Sequence, residues 1–230
     1  MTPIVFVPGL LCSAEAFSFQ ANALWPFGPV TIASTLEGKS LAEIAAAILA
    51  AAPSQFALAG ISMGGYICFE IMRQAPERVV KLALLNTSAR PDTPQETAQR
   101  RALLAQAQAG DFKAVAAQVM PAILHPARRN DPALCDTTLR MALTVGLEGF
   151  ARQTEAVIGR IDSRPGLAAI RVPTLVVAGD SDPLMPPDRP AEMVDAMPQA
   201  RLVVVPECGH ASTLERPDAV NRALIDWITG

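Results

Sequence analysis

Residues 58–65 read Leu-Ala-Gly-Ile-Ser-Met-Gly-Gly, and the fold class turns on what Ser62 does there. A short apolar run, Phe56–Ala59, precedes the serine, and a stretch with helical spacing, Met63–Gln74, follows it. A strand passing directly into a helix holds the corner residue in a strained backbone conformation and leaves its neighbours no space for side chains. Gly60 and Gly64 meet that demand. The spacing Gly-x-Ser-x-Gly is a weak signal alone, since at about 7% usage of each residue a chain this long matches it by chance slightly under one time in ten. Its place between strand and helix carries the weight. Ser62 is then expected at the C-terminal edge of a sheet, above a helix N-terminus whose backbone N–H groups favour developing negative charge.

Outward from this corner, β-rich apolar runs alternate with amphipathic stretches, the pattern of an α/β domain with a mostly parallel sheet. Six strands are predicted, at Ile4–Val7, Val30–Ala33, Phe56–Ala59, Val79–Leu85, Thr174–Ala178 and Leu202–Val205. They read as continuous apolar runs, as strands covered by helices on both faces should. Helices are predicted near 14–24, 41–51, 63–74, 188–196 and 214–228, the last opened by a capping box at Ser212-Thr-Leu-Glu215. From about 91 to 163 only helix signals occur. They include a second capping box, Thr93-Pro-Gln-Glu96, a close at Gly110, a start at Asp131-Pro132 and an end at Gly146. The expected organisation is a core of residues 1–90 and 164–230, with 91–163 inserted as a helical cap over one sheet edge.

A serine hydroxyl is a poor nucleophile at neutral pH and needs a base within hydrogen-bonding reach. The chain has two histidines. His210, in Pro206-Glu-Cys-Gly-His210, follows the last predicted strand and so shares the sheet edge of Ser62; His125, in the insertion, reads as a solvent-facing loop residue. The base needs a carboxylate to fix its tautomer. Asp180 and Asp182, after the fifth strand, both qualify by type, and the chain order serine, acid, histidine suits this scaffold. Val7-Pro-Gly-Leu-Leu11 ends the first strand in a loop that can bring the Leu10 N–H beside that of Met63, two donors for an oxyanion.

With a net charge of −3 and no basic run longer than Arg100-Arg101 or Arg128-Arg129, neither a nucleic-acid footprint nor an anionic-membrane anchor is expected. No apolar stretch approaches the ~20 residues of a membrane span. The N-terminal run resembles a signal h-region but lacks a basic flank, the first Lys or Arg being Lys39, and reads as a strand. Four cysteines with no metal spacing and no disulfide framework point to the cytoplasm.

With these residues assembled, the chain resembles the α/β-hydrolase superfamily over essentially its whole length. The carriers are Pro8-Gly9-Leu10, Gly60-Ile-Ser62-Met-Gly64-Gly65, Gly179-Asp-Ser-Asp182 and Cys208-Gly-His210, with Gly149-Phe-Ala-Arg-Gln153 and Arg160-Ile-Asp-Ser163 similar to small bacterial members. The resemblance implies a six-stranded, helix-flanked sheet and selects Asp182, three residues past the glycine that ends its strand. Two departures stand out: Pro8 replaces a common histidine, and the chain begins close to the oxyanion strand, so a leading β-hairpin is absent and the sheet is minimal. The implied reaction is acyl transfer through Ser62, with His210 as base, Asp182 as its partner, Leu10 and Met63 N–H as oxyanion donors, and no metal or organic cofactor.

The expected substrate is a small, mostly apolar ester or related acyl compound, taken by a monomer or homodimer. Phe112, Val119, Met120, Leu139, Val145 and Phe150 in the cap are candidate pocket residues. Arg128-Arg129 reads as an exposed pair, and Cys12 and Cys208 as buried small apolar residues whose alkylation would hinder activity. A carbon–carbon bond hydrolase, an acyltransferase, or a non-catalytic receptor with the same pocket are the alternatives.

Overall fold

Six strands, Ile4–Val7 (β1), Val30–Ile32 (β2), Phe56–Ile61 (β3), Val79–Leu85 (β4), Thr174–Gly179 (β5) and Ala200–Val205 (β6), form one sheet in the order β2-β1-β3-β4-β5-β6. Every neighbouring pair is parallel. This computed structural model describes residues 1–230. Nine α-helices accompany the sheet: Ser18–Leu24 (α1), Leu41–Ala51 (α2), Met63–Gln74 (α3), Pro94–Ala109 (α4), Phe112–Ala122 (α5), Pro132–Ile158 (α6), Asp188–Ala196 (α7), Ser212–Glu215 (α8) and Pro217–Thr229 (α9). None is long and apolar enough to cross a membrane.

The period-2 alternation of a strand divides the core into two layers. Val5 and Val7 of β1 join Ile44 and Ile48 of α2, Ile67 and Ile71 of α3 and Met193 of α7 on one face. Ile4 and Phe6 point the other way, to Phe17, Leu24 of α1 and Val220, Leu224 and Trp227 of α9. Phe6 and Phe17 stack at 4.5 Å between ring centroids. Each large apolar side chain buried here contributes about 1.5–3 kcal/mol. Because every strand is parallel, all six C-terminal ends share one edge, where this class of sheet collects its functional residues.

The structure departs from the expectations in two places. β6 is an edge strand, and Leu202 and Val204 stay 38% and 54% exposed although their run reads as a covered strand. The expected helix from 214 is broken into α8 and α9, because Pro217 supplies no N–H and Arg216 leaves helical geometry (φ −135°, ψ 55°). The box at 212–215 does not cap it, since Glu215 is turned to other partners. Gly146 takes non-helical geometry (φ 69°, ψ 173°) and divides α6 at a kink into two helical stretches, at the position where the sequence reading places an end.

Between β4 and β5 stand α4, α5 and α6. The Thr93–Glu96 box does form, with Glu96 N–H donating to Thr93 Oγ1 at 3.2 Å and Thr93 N–H to Glu96 Oε2 at 2.6 Å. The three helices close on a small core around Leu104, Ala107, Val115, Ala142, Val145 and Phe150, joined by Leu11 from the loop after β1.

Candidate active site

β3 runs into α3 with one residue, Ser62, between them, and that residue takes φ 55° and ψ −119°. A non-glycine side chain in this left-handed region is strained and persists only where its surroundings impose it. Two close approaches do so. A Cβ on Gly64 would sit 2.0 Å from the Val7 carbonyl oxygen, and one on Gly60 2.4 Å from that of Gly64. The Thr87 hydroxyl donates to the Ser62 carbonyl at 2.8 Å, fixing the corner from β4.

His210 follows β6 and brings its Nε2 to 2.8 Å from the Ser62 Oγ. Its Nδ1 lies 2.8 Å from Asp182 Oδ2 and 3.0 Å from Oδ1. Asp182 also accepts from Leu184 N–H (2.8 Å), Met185 N–H (3.0 Å) and Asn86 Nδ2 (2.9 Å). Burial pushes this carboxyl up, but the imidazole beside it and these donors outweigh burial and hold it below the usual carboxylate range. An ionised Asp182 keeps the Nδ1–H tautomer, which leaves Nε2 free to accept the serine proton. Asp180 faces elsewhere: its carboxylate accepts Glu207 N–H (2.9 Å) and Cys208 N–H (3.1 Å) and tethers the loop leading to His210.

Three further polar residues, unmarked in the sequence reading as site residues, hold this arrangement. Asn86, left-handed at φ 44°, spans Asp182 and the Gly209 carbonyl. Glu215, buried at 2% exposure, accepts Gly209 N–H (3.1 Å) and Ala211 N–H (3.2 Å), on either side of His210, and His125 N–H (2.8 Å) from the insertion. Gln153 of α6 accepts the Leu11 N–H at 3.0 Å and donates to Thr35. Asn86 had a readable signal, a polar residue directly after a buried strand on the shared edge. Gln153 stood only within the stretch 149–153 similar to small bacterial members, and Glu215 only within a capping-box pattern; neither signal marked a role at this site.

The Ser62–His210 pair opens into a cavity of about 410 Å³, within the range of small-molecule sites. Leu10 and Met63 line it beside Ser62. Met63 opens α3, so its N–H belongs to the first-turn donors that no helix carbonyl accepts. Of the six insertion residues named as pocket candidates, Val119 and Met120 line the cavity. Phe112, Leu139, Val145 and Phe150 do not: they pack into the insertion's small core, Phe112 against Phe150 at 5.9 Å. An apolar helix face marks burial, and here two burial sites compete for it. The wall also includes Arg90, Arg100, Arg160 and Arg189, which an expectation of a mostly apolar site did not include. Arg128 and Arg129 lie outside the wall, and Arg128 donates to the Glu215 carbonyl at 2.7 Å.

Cys208 is buried and its thiol is pushed up to about 12 by that burial; Cys12, in a small apolar side cavity, is raised to about 11. Neither presents a thiolate near neutral pH, which counts against alkylation as a handle on activity. No group of three or more His, Cys, Asp or Glu is arranged to hold a metal ion.

Comparison with known proteins gives a consistent picture. Residues 4–223 match the model of the alpha/beta hydrolase family. The provisionally named carbamate hydrolase RutD of Azorhizobium caulinodans is 33% identical over 177 residues, 74% of this chain and 64% of that protein. A pimeloyl-acyl-carrier-protein methyl ester esterase of Nitrosomonas europaea is 27% identical over 187 residues, covering 78% and 73%. The matched stretch spans slightly under two thirds of two RutD relatives, 66% and 64% of their length. A thermophilic esterase from Thermogutta terrifontis, solved with malate bound, superposes with a TM-score of 0.88 at 26% identity, over 100% of this chain and 90% of that one. The enol-lactonase of Burkholderia xenovorans LB400 shares the fold at a TM-score of 0.89 and 24% identity, over 100% and 92%.

Proposed function

The chain belongs to the alpha/beta hydrolase family, and on that premise we propose that it is a serine hydrolase acting on a small carboxylic ester or related acyl compound through an acyl-enzyme. His210 Nε2 accepts the Ser62 proton as Oγ attacks the carbonyl carbon. Asp182 steadies the imidazolium through Nδ1. Leu10 and Met63 N–H groups receive the oxyanion, each such donor being worth about 3–4 kcal/mol in the barrier. His210 returns the proton to the leaving group, and the acyl group stays on Ser62. Water, deprotonated by the same imidazole, then attacks the acyl carbon and releases the acid. Residues 91–163 act as the cap that encloses the substrate, and four unpaired cysteines suit a cytoplasmic setting.

The observation that carries this reading is the continuous chain Ser62 Oγ–His210 Nε2 (2.8 Å) and His210 Nδ1–Asp182 Oδ2 (2.8 Å) at the mouth of one cavity. Relatives named for carbamate, methyl ester and enol-lactone hydrolysis support it through the one element those reactions share, a carbonyl carrying an expellable oxygen or nitrogen group. The test is a panel of short esters, lactones and carbamates run beside organophosphonate labelling and intact mass spectrometry. The expected result is repeated turnover and one adduct, on Ser62, absent in Ser62→Ala. Labelling elsewhere, or undiminished turnover in that variant, overturns the proposal. A receptor built on the same pocket would bind ligand without releasing product.

A further inference from the structure

Four arginines, Arg90, Arg100, Arg160 and Arg189, line the cavity, and the partners of their guanidiniums differ. Arg90 meets Glu192 (2.8 Å) and Asp188 (3.1 Å). Arg160 meets Asp92 (2.5 Å) and lies over the Tyr66 ring, its guanidinium carbon 4.4 Å from the centroid, while Arg100 shares Asp92 (2.8 Å). None of these three carboxylates faces the cavity. Glu96 is the one acid on the wall, and its Oε2 already accepts the Thr93 N–H. Four arginines and one acid thus line the cavity, and the carboxylates paired with Arg90, Arg100 and Arg160 lie outside its wall.

Arg189 is the exception among the four. Its nearest carboxylate oxygen, on Asp188, is 3.8 Å away, beyond hydrogen-bonding distance, although its side chain is only 19% exposed. It sits in the first turn of α7, where the helix dipole disfavours a cation, and an anion beside it relieves both charges. A guanidinium offers five donors in a planar fork that suits a carboxylate. Apolar surface of Met63, Leu184, Met185 and Val157 lines the same cavity, room for a short carbon chain.

We propose that the compound hydrolysed at Ser62 carries a carboxylate at the end of a short chain remote from its scissile carbonyl, and that Arg189 receives it. This rests on the reading of Ser62 given above and adds a charge to the small, mostly apolar substrate expected from the sequence. Arg189 acts through substrate binding, so its removal raises KM and leaves the reaction at Ser62 intact.

The test compares the mono-4-nitrophenyl ester of adipic acid with its ω-amide, a near-isostere without the charge. A second pair, an ω-acetoxy acid and its amide, puts the carboxylate on the alcohol side. In at least one pair kcat/KM favours the acid by about ten-fold or more, the worth of a charged hydrogen bond. Arg189→Gln removes most of that preference, read as the acid-to-amide ratio of kcat/KM falling toward one, with the loss on the acid carried by KM. Arg189→Lys keeps part of the preference, since an ammonium retains the charge without the fork. Equal kcat/KM for acid and amide in both pairs overturns the assignment, as does an Arg189→Gln loss that falls on both members alike. If the amides are hydrolysed and organophosphonate labels Ser62, only the carboxylate assignment falls. If nothing is turned over and Ser62 stays unlabelled, the reading of Ser62 falls and takes this one with it.

Discussion

The two walls of the cavity are held by different physics. On the sheet-edge wall, Ser62 is strained, Asp182 is fully paired and His210 is fastened between Gly209 and Ala211 by a single carboxylate. Each of these groups is fixed by backbone running out of the hydrophobic core. The insertion wall hangs on side chains of α4, α5 and α6, which pack mainly on one another. A wall anchored in the main core suits chemistry that tolerates little misplacement, while one with a small core away from the sheet can change its lining residues without disturbing the sheet. Sheet-edge substitutions should therefore act on kcat, and insertion or Arg189 substitutions on KM.

The largest expected effect breaks the sheet-edge wall at its centre. Ser62→Ala and His210→Ala each lower kcat by up to about a million-fold in the ester assay, with the thermal midpoint nearly unchanged. Next comes the acid. Asp182→Asn lowers kcat by about 10⁴-fold, whereas Asp180→Asn, removing a tether only, lowers it far less; a greater loss at 180 would exchange their roles. Asp182 also links this wall to acid stability. Its carboxyl is lower in the folded chain than unfolded, so its contribution is present above the unfolded value and is lost as pH falls through the folded one. Unfolding of Asp182→Asn, followed by denaturant titration, should lose part of the acid dependence of the parent below about pH 4.

A smaller effect sharpens the contrast at the place where the walls meet. Glu215→Gln leaves at least one of three backbone N–H groups poorly met, about 1–3 kcal/mol, read as a fall of roughly 2–10 °C in Tm. Because Gly209 and Ala211 N–H share Oε1, a Gln oxygen can keep both, and the N–H left unmet is that of His125, so kcat should change little. Gly146→Ala has the smallest effect on the reaction. Nothing lies within 4 Å of the added methyl, so the cost is that of the glycine-favouring backbone conformation alone, about 1–3 kcal/mol in stability, with kcat unmoved. A large change in kcat there would mean that the bend in α6 takes part in the reaction.

The same division decides what could be read from the chain. Parallel strands buried on both faces leave continuous apolar runs, and α2, α3 and α7 begin and end where spacing and breakers put them. The strand-to-helix corner at Ser62 was legible because only glycine fits at 60 and 64. The lining of the insertion was not, since Phe150 facing a helix and Met120 facing a cavity carry the same apolar signature. Arg100 and Arg160 were not legible as cavity residues either, because nothing local marks that they share Asp92 across about sixty residues of chain. Glu215 misled through a pattern that fits a capping box, until Pro217 denies it a helix to cap.

The hydrogen bond from Leu11 to Gln153 sets a practical limit for anyone engineering this scaffold. Trimming residues 91–163 to obtain a smaller, more open catalyst would delete the side chain that clasps the loop carrying Leu10. A truncated version would keep Ser62, His210 and Asp182 and lose the support beneath the amide proposed to receive the oxyanion, so a shortened design has to supply a replacement acceptor for residue 11 before any gain in substrate access counts.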